Sequence, residues 1–371
     1  MVFRIQPVST AADLDPFLDV PWRVYGNDPH WVPPIRSDIA KQLAPEHGFR
    51  SYGTLQAFVL LTEGGEAIGR IVAIVNRRLI EREGQNVGLL GYFECIDDPQ
   101  AIALLLDAGC DWLRSQGMTR VRGPIDLFTH NNCLFLADAF DSPPMIMMPY
   151  NPPYYGTGWE QYGFERAKDA YAYDFPMIPL DDRFERGYKI ATKSGVTFRP
   201  ICTKGNGFET DVRNLYRLFT TAFEESWSSS PRTEAEFFDS AQQLKTLVDP
   251  EIFPIAEYNG EMVGFFMALP DYNIALKRVN GRLNFWGILK FLWYRRNINQ
   301  ARVLAICALP EFRRKLVPLA LIYLGMQGGQ KQGYQNAELS WIWADNQASR
   351  NITEASGAKV LKTYRMYERA L

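Results

Sequence analysis

The stretch Glu66-Ala67-Ile68-Gly69-Arg70-Ile71-Val72-Ala73 reappears about 195 residues further on as Glu261-Met262-Val263-Gly264-Phe265-Phe266-Met267-Ala268. In each half of the chain, an apolar run and a turn with glycine precede the repeated stretch, a pattern typical of a β-hairpin. The separation is far longer than the repeat of a solenoid, so it indicates two duplicated domains.

The order of elements after the hairpin is also duplicated. An amphipathic helix over 101–116 stops before Gly117 and leads to a strand, and a helix over 319–332 stops before Gly333 and leads to the strand 337–342. Each half then closes with a short helix, a glycine and an alternating strand. The sequence therefore predicts an α/β protein with a mixed sheet and helices on both faces. We place the two domains at 1–180 and 190–371, because the stretch between them is polar and rich in proline.

Composition excludes several classes of protein. The chain has 371 residues, 47% of them hydrophobic, and a formal net charge of -2, so it has no basic field for nucleic acid. Five widely spaced cysteines and only three histidines argue against a disulfide framework and against a metal site, and favour reduced thiols in the cytoplasm. No apolar run approaches the roughly 20 residues that cross a bilayer, and we expect a cytoplasmic protein, either soluble or at the inner face of a membrane.

The duplicated element order resembles the GNAT superfamily of N-acyltransferases, over most of the chain and most strongly over 252–371. Two runs, Pro144-Met145-Ile146-Met147-Met148-Pro149-Tyr150-Asn151-Pro152-Pro153-Tyr154-Tyr155 and Lys362-Thr363-Tyr364-Arg365, resemble a bacterial group of tandem GNAT proteins. Some members of that group are similar to bacterial ceramide synthases, which N-acylate a sphingoid base. The resemblance implies an acyl-CoA-dependent N-acyltransferase without a metal, and in its sharpest form a long-chain acyl donor and a lipid amine.

Two alternatives stay open at this point. The acyl group could come from another carrier, or the tandem fold could be catalytically inactive and act as a ligand-binding or scaffolding module.

The resemblance also implies where coenzyme A would bind. In GNAT enzymes a turn after a strand, and the helix that follows, hold the pyrophosphate through backbone N–H groups. The matching segment is 307–317, whose candidate cofactor residues are Cys307, Leu309, Arg313, Arg314 and Lys315. The family has small residues where Arg314, Lys315 and Leu316 stand, so these side chains either block the phosphates, bind them as cations, or form an exposed charged turn.

Two further segments bear on the cofactor. Asn346 begins the last helix and is expected either to cap it or to lie near the pantetheine arm. In the N-terminal half the equivalent turn carries Asp97 and Asp98, whose charges would repel a phosphate. We therefore predict that only the C-terminal domain binds an acyl thioester.

Three residues are candidates for catalysis. Strand alternation places Glu338 and Ser340 on one face, where Glu338 is either the general base or a surface carboxylate. Tyr364 on the closing strand is either the acid for the thiolate or a packing residue. His130 lies in a polar loop and either faces a cleft between the domains or is solvated.

The candidate substrate residues form two groups. Asn151, Tyr154 and Tyr155 in the proline-rich run, together with Trp341, are expected to shape an acceptor pocket. Trp286 belongs to the segment 283–296, whose aromatic residues and flanking cations are typical of a helix lying in a membrane interface. The alternative is that these aromatic residues cover a sheet edge or form a dimer contact.

Overall fold

A computed structural model describes residues 2–26, 28–223 and 226–371. The strands are β1 Phe3–Pro7, β2 Gly53–Thr62, β3 Ala67–Asn76, β4 Val87–Cys95, β5 Arg120–Gly123, β6 Phe135–Leu136, β7 Glu165–Pro176, β8 Thr197–Pro200, β9 Pro254–Tyr258, β10 Glu261–Pro270, β11 Gln300–Ala308, β12 Asn336–Trp343 and β13 Lys359–Ala370. The helices are α1 Ala11–Tyr25, α2 Arg36–Leu43, α3 Arg77–Glu83, α4 Pro99–Ser115, α5 Tyr154–Tyr162, α6 Asp182–Lys193, α7 Gly205–Phe223, α8 Glu234–Leu244, α9 Asn273–Val279, α10 Phe285–Tyr294, α11 Pro310–Arg313, α12 Val317–Lys331 and α13 Gln347–Ala355. Within the described residues, no helix is long and apolar enough to cross a membrane.

One sheet runs through both halves of the chain. Over the described residues it contains 13 strands in the order β1-β2-β3-β4-β5-β13-β7-β12-β11-β10-β9-β8, and β6 pairs with β13 outside that path. Both repeated stretches form the second strand of a hairpin, β2–β3 and β9–β10. Helices pack on both faces, and the predicted mixed α/β architecture is confirmed.

The closing strands of the two halves are exchanged. β7 ends the N-terminal half but pairs with β12 of the C-terminal half, whereas β13 ends the chain and pairs with β5 of the N-terminal half. The two closing strands also pair with each other, from Lys359 opposite Asp174 to Glu368 opposite Glu165. The segments 1–180 and 190–371 therefore share the middle of one sheet.

Each half contains one parallel strand pair, and in both the two strands diverge. β4 and β5 are paired only over 87–89 and 120–122, and β11 and β12 only over 300–303 and 336–339. β4 continues to Cys95, β11 to Ala308 and β12 to Trp343 without further pairing between the parallel strands. Each half thus has an opening in the sheet, lined by strand ends whose backbone groups do not pair across the opening.

On one face of the sheet, a single apolar core contains side chains from both halves of the chain. It combines side chains of the N-terminal half, such as Val72 and Ile74, with Trp343, Tyr364 and Met366 of the C-terminal half. The residues of β7 on this face are Ala170 and Ala172. Because alanine is small, larger side chains of β12 and β13 can approach each other across β7.

Candidate active site

The segment 137–148 crosses the opening between β11 and β12 and is fixed there by buried charges. Arg302 donates to the carbonyl oxygens of Ile146 at 2.8 Å and Met147 at 3.0 Å. Lys362 donates to the carbonyl oxygen of Pro143 at 2.8 Å, and Asp271 accepts from the backbone N–H of Ile146 at 2.8 Å. The two runs that carry the family resemblance therefore meet at this opening.

Glu338 lies beneath this segment on β12. Its side chain is buried with that of Ser340, so the alternative of a surface carboxylate is wrong. The Ser340 hydroxyl hydrogen-bonds to Glu338 and accepts from Arg302 Nε at 2.9 Å. Burial raises the pKa of Glu338, while the Ser340 hydrogen bond and the charges of Arg302 and Lys362 act in the opposite direction. A carboxylate with a raised pKa is a stronger base than one in water.

Tyr364 approaches the same site from β13, on the opposite side of β7. It is fully buried in the shared core, and burial together with the charge of Glu338 raises the pKa of its hydroxyl well above the usual value. At neutral pH the hydroxyl therefore keeps its proton and can donate it.

Within the described residues, seven buried side-chain polar atoms have no partner, and three of them lie around this site: Glu338 Oε1, Tyr364 Oη and Trp343 Nε1. The other four are Arg50 Nε, Arg70 Nε, His130 Nδ1 and Trp159 Nε1. Buried polar groups in native proteins are nearly always hydrogen-bonded, so each exception requires an explanation. An acceptor, a donor and a hydroxyl without partners are the groups that a polar substrate would satisfy.

Helix α12, which follows β11 after the short helix α11, begins without a side-chain cap. Leu316 precedes α12 with a φ of 60°, and its side chain accepts no hydrogen bond from the first turn. Uncapped N–H groups and the helix dipole favour an anion at this position. The backbone here fits the pyrophosphate position that the GNAT resemblance implies.

The three adjacent cations before α12 have different surroundings. Arg313 Nε donates to the Ala308 carbonyl oxygen at 3.2 Å, and Lys315 Nζ lies over the rings of Tyr258 and Phe312 at 4.1 and 4.8 Å. The side chain of Arg314 is exposed and has no hydrogen bond or ion pair in the described part of the chain. Arg314 is therefore the cation that is free to meet a phosphate.

The corresponding helix of the N-terminal half is already capped by an acid. Asp98 accepts from the backbone N–H groups of Gln100 at 2.8 Å and Ala101 at 3.0 Å. The protein's own carboxylate thus occupies the place where a phosphate would bind.

The opening of the N-terminal half contains a second, half-buried carboxylate, Glu94 on β4. Glu94 pairs across the strands with Arg70 of the first repeated stretch. At the corresponding position of the C-terminal half, Cys307 pairs with Phe265. Tyr155 donates to Glu94 Oε2 at 2.8 Å, and burial raises the pKa of Glu94 to about 7.

Glu94 lines a small cavity in which burial also raises the pKa of Asp126 to about 6. The cavity measures about 40 Å³, which is room for water but not for a thioester arm.

The candidate substrate residues of the proline-rich run lie in the N-terminal half. Asn151 is buried and bonds to the backbone of Leu136, and Tyr154 donates to the Cys95 carbonyl oxygen at 2.8 Å. Tyr155 bonds to Glu94, as described above. These hydrogen bonds hold α5 and the preceding loop against β4 and β6. None of them is made with Glu338.

The remaining candidates lie in four places. His130 is half-buried beside Phe128 and Phe219, and burial lowers its pKa to about 4. Asn346 caps α13 by accepting from Ser349 N at 3.1 Å. Trp341 packs on Trp343 in the shared core, whereas Trp286 is exposed on α10.

The last two candidates, Cys307 and Leu309, are fixed in the strand and turn before α12. Cys307 is buried against α7 with its thiol pKa raised to about 11 by burial, and Leu309 N donates to the Val263 carbonyl oxygen at 3.0 Å.

Sequence reasoning missed Arg302, Asp271 and Lys362 as site residues. The available signal for Arg302 was its place directly before the apolar run Val303-Leu304-Ala305-Ile306, because a charge in a buried strand requires a partner. The partners are Ser340 on β12 and the carbonyl groups of Ile146 and Met147. The segment 137–148 lies far away in sequence, so its part could not be inferred locally.

The comparisons with known proteins agree with this architecture. The chain shares its fold with a tandem GNAT protein from the clavulanic acid biosynthesis pathway, with a TM-score of 0.58, 11% identity, and coverage of 100% of this chain and 98% of that one. A GCN5-related N-acetyltransferase from Sphaerobacter thermophilus aligns with a TM-score of 0.55 and 15% identity, covering 99% and 95% of the two chains. The fold is therefore that of the tandem GNAT class.

Sequence relatives narrow the class further. The chain is 31% identical to the bacterial ceramide synthase of Caulobacter vibrioides (strain NA1000 / CB15N) over 98% of this chain and 97% of the relative. It is also 31% identical to protein YghO of Escherichia coli (strain K12), over 97% and 93%. No established family profile matches the sequence. The chain belongs to the tandem GNAT family that includes these two proteins.

Proposed function

We propose that the protein is an acyl-CoA-dependent N-acyltransferase whose chemistry takes place at the opening between β11 and β12. The observation that carries this proposal is the pair of buried, unpartnered groups, Glu338 Oε1 and Tyr364 Oη, on one face of the sheet. A GNAT fold alone leaves function open, since function resides in the site.

The proposed reaction needs one base and one acid. Glu338 accepts a proton from the acceptor ammonium, and the free amine attacks the thioester carbonyl, so that a C–N bond forms as the C–S bond breaks. Tyr364 donates its proton to the leaving thiolate, and the second proton lost by the nitrogen returns the tyrosine to its neutral form. Arg302 and Lys362 keep Glu338 ionised enough to act as the base and position the segment 137–148.

We further propose that coenzyme A binds only to the C-terminal domain, 190–371. The uncapped start of α12 and the unpaired Arg314 support this assignment, and the acid cap Asp98 argues against a cofactor site in the domain 1–180. The free cysteines favour a cytoplasmic enzyme.

The proposed substrates are a long-chain acyl-CoA and a lipid amine of the sphingoid class. The name of the Caulobacter relative supports this substrate class. The surroundings of Tyr364 support it too, because Tyr364 lies in the shared apolar core, which suits the CH₂ groups of a lipid chain.

The test is thiol release by the purified protein with acetyl-CoA and palmitoyl-CoA, each combined with small amines and with sphingoid amines. We expect release that requires both the long chain and the lipid amine. Equal rates with acetyl-CoA and small amines would contradict the lipid assignment. No release with any pair would favour a non-catalytic ligand-binding module.

A further inference from the structure

Helix α10 presents an apolar surface that the rest of the molecule does not cover. Trp286 is 70% exposed and Trp293 66% exposed. Five more apolar side chains of 283–292 are exposed on the same segment: Leu283, Phe285, Ile288, Leu289 and Leu292. Large exposed apolar patches on proteins mark interaction sites.

The orientation of α10 is fixed by its inner face. Gly287 is buried, and the Phe291 ring stacks on Tyr272 with centroids 5.7 Å apart. These two inward residues are four positions apart, so one side of the helix is anchored and the remaining surface points outward. Asn284 caps the helix by accepting from Gly287 N at 2.9 Å.

The connection that carries α10 is joined to the N-terminal half. Arg36 N donates to the Gly281 carbonyl oxygen at 3.1 Å, and Trp22 Nε1 donates to Asn280 Oδ1 at 3.0 Å. Lys277 Nζ also bonds to the carbonyl oxygen of Pro29. The apolar surface is therefore held on a fixed base.

The charges of the connection that carries α10 are all positive. Between Tyr272 and Pro310 the sequence contains no aspartate or glutamate, and it contains the cations Lys277, Arg278, Arg282, Lys290, Arg295, Arg296 and Arg302, of which only Arg302 is buried. Such a combination of apolar and cationic side chains complements a bilayer with anionic headgroups. A second copy of the chain fits less well, because a twofold contact would bring like charges together.

A groove of about 540 Å³ adjoins the N-terminal end of α10. Asp19, which lines it, is paired with Arg36 at 2.9 Å. Arg282 and Lys290 line it as well and have no ion pair within the described residues. The groove therefore has an unbalanced positive charge suited to a phosphate headgroup.

The inner face of α10 lies close to the candidate active site. Phe291 and Tyr272 belong to an apolar cluster that also contains Ile146 and Leu304. Ile146 accepts the hydrogen bond of Arg302, and Leu304 follows Arg302 at the point where β11 leaves β12. The apolar cluster beneath α10 therefore includes residues of the segment and of the strand that border the opening.

We propose that α10 and the adjoining groove form a docking surface for a membrane containing anionic phospholipids, which brings a lipid substrate to the opening between β11 and β12. The delivery of a lipid substrate rests on the proposed function, whereas the docking to a membrane does not. The bilayer takes up the aromatic side chains, the headgroups meet Arg282 and Lys290, and a lipid substrate passes directly from the bilayer to the site.

Co-sedimentation with vesicles tests the docking surface. We expect the full-length protein to bind vesicles of phosphatidylcholine mixed with phosphatidylglycerol, and to bind phosphatidylcholine alone much more weakly. Replacing Trp286 and Trp293 by serine is expected to lower the partition coefficient more than tenfold. Each of Arg282→Glu and Lys290→Glu is expected to lower it at least about fivefold, with a steep dependence on salt.

The matched control is the pair Ile178→Ser and Ile190→Ser, which are also exposed, at 60% and 48%, but lie outside α10. We expect this variant to bind vesicles as the wild type does. Absence of wild-type binding to anionic vesicles, or equal losses in the control and in the tryptophan variant, would overturn the proposal. A dimer that dissociates in the tryptophan variant, without vesicle binding, would also overturn it in favour of a second copy.

The docking surface and the proposed function fail separately. Vesicle binding by a protein that releases no thiol would contradict the proposed function and leave the docking surface intact. Acyl transfer to detergent-dispersed lipid amines by a protein that does not bind vesicles would support the proposed function and contradict the docking surface.

Discussion

At the residue scale, the central feature is that buried polar atoms at the opening have no partner among the residues that the structure describes. A hydroxyl without a hydrogen bond in an apolar core destabilises a fold by about 1–3 kcal/mol. The arrangement around Glu338 and Tyr364 is therefore better explained by catalysis than by stability, because natural proteins satisfy such groups when no function opposes it.

The substitution Tyr364→Phe tests this explanation. We expect thiol release to fall at least tenfold, while the free energy of unfolding stays constant or rises by about 1 kcal/mol, because the lost hydroxyl had no partner. Tyr173→Phe on β7 is the control, since the Tyr173 hydroxyl donates to Glu354 at 3.1 Å and its loss should cost stability without lowering activity. The two quantities are measured by denaturant titration and by the thiol assay. Wild-type activity in Tyr364→Phe would remove the tyrosine from the mechanism.

A second prediction at this scale concerns Glu94. Its folded-state pKa of about 7 lies above its ordinary value of 4.5, so the folded protein binds the proton more tightly than the unfolded chain. The stability contributed by protonated Glu94 is complete below pH 4.5 and is lost as the pH rises through 7. Glu94→Gln also removes the ion pair of Arg70 with Glu94 at 3.6 Å, which is a loss that does not depend on the Glu94 proton. Between pH 5 and pH 8 we expect the free energy of unfolding of Glu94→Gln to rise relative to that of the wild type by about 3 kcal/mol.

Unfolding titrations at several pH values measure this difference. Glu63→Gln, which removes an exposed carboxylate from the β2–β3 turn, serves as the control and should not change the slope. A pH-independent difference between Glu94→Gln and the wild type would contradict the assignment.

At the scale of elements, the two helix starts after β4 and β11 differ in a way that separates the halves. Asp98→Ala is expected to lower the free energy of unfolding by about 1 kcal/mol and to leave the KM for acyl-CoA unchanged. Arg314→Glu is expected to raise that KM about tenfold with little effect on stability, because Arg314 is exposed and unpaired. If Asp98→Ala changed the KM for acyl-CoA and Arg314→Glu did not, the cofactor would bind to the N-terminal half, contrary to our proposal.

Most elements could be predicted from the sequence because their signals are local. The repeated stretches predicted two hairpins, and the glycines at 117 and 333 marked where α4 and α12 end, each with a positive φ of about 80°. The exchange of β7 and β13 could not be predicted. Both strands alternate in the same way after a glycine, so either could fill either position, and only packing between distant residues decides which does.

The site was predictable in the same partial way. Alternation along β12 was enough to place Glu338 and Ser340 on one face. Burial of that face, and its contacts with Arg302 and Lys362, depend on the segment 137–148, which no local pattern connects to β12. Tyr155 and Trp341 were expected in one acceptor pocket. In the structure Tyr155 bonds to Glu94 of the N-terminal half, whereas Trp341 lies on β12 of the C-terminal half.

At the scale of the whole molecule, the exchanged strands couple the stability of the two halves. Met366 on β13 is fully buried in the shared core, and Met366→Ala is expected to destabilise the fold by about 2–5 kcal/mol. Because β13 pairs with both β5 and β7, we expect amide exchange to accelerate by the same factor in β4 and in β11. Hydrogen exchange followed by mass spectrometry measures both strands in one experiment. Acceleration confined to one half would show that the halves unfold independently.

The same continuity explains how an opening in the C-terminal half can be built partly from the N-terminal half. The segment 137–148 reaches across the sheet and bonds to Arg302, Asp271 and Lys362. Tandem arrangement thus gives the proposed enzyme a site that neither half contains alone.

The measurement that tests the central claim most directly compares wild type and Glu338→Gln with palmitoyl-CoA and a sphingoid amine, following amide product by mass spectrometry and donor binding by calorimetry. We predict that the wild type forms one amide for each thiol released, and that Glu338→Gln binds the donor normally but forms product at least 100-fold more slowly. Product formation by Glu338→Gln at the wild-type rate would contradict the assignment of the active site to this opening.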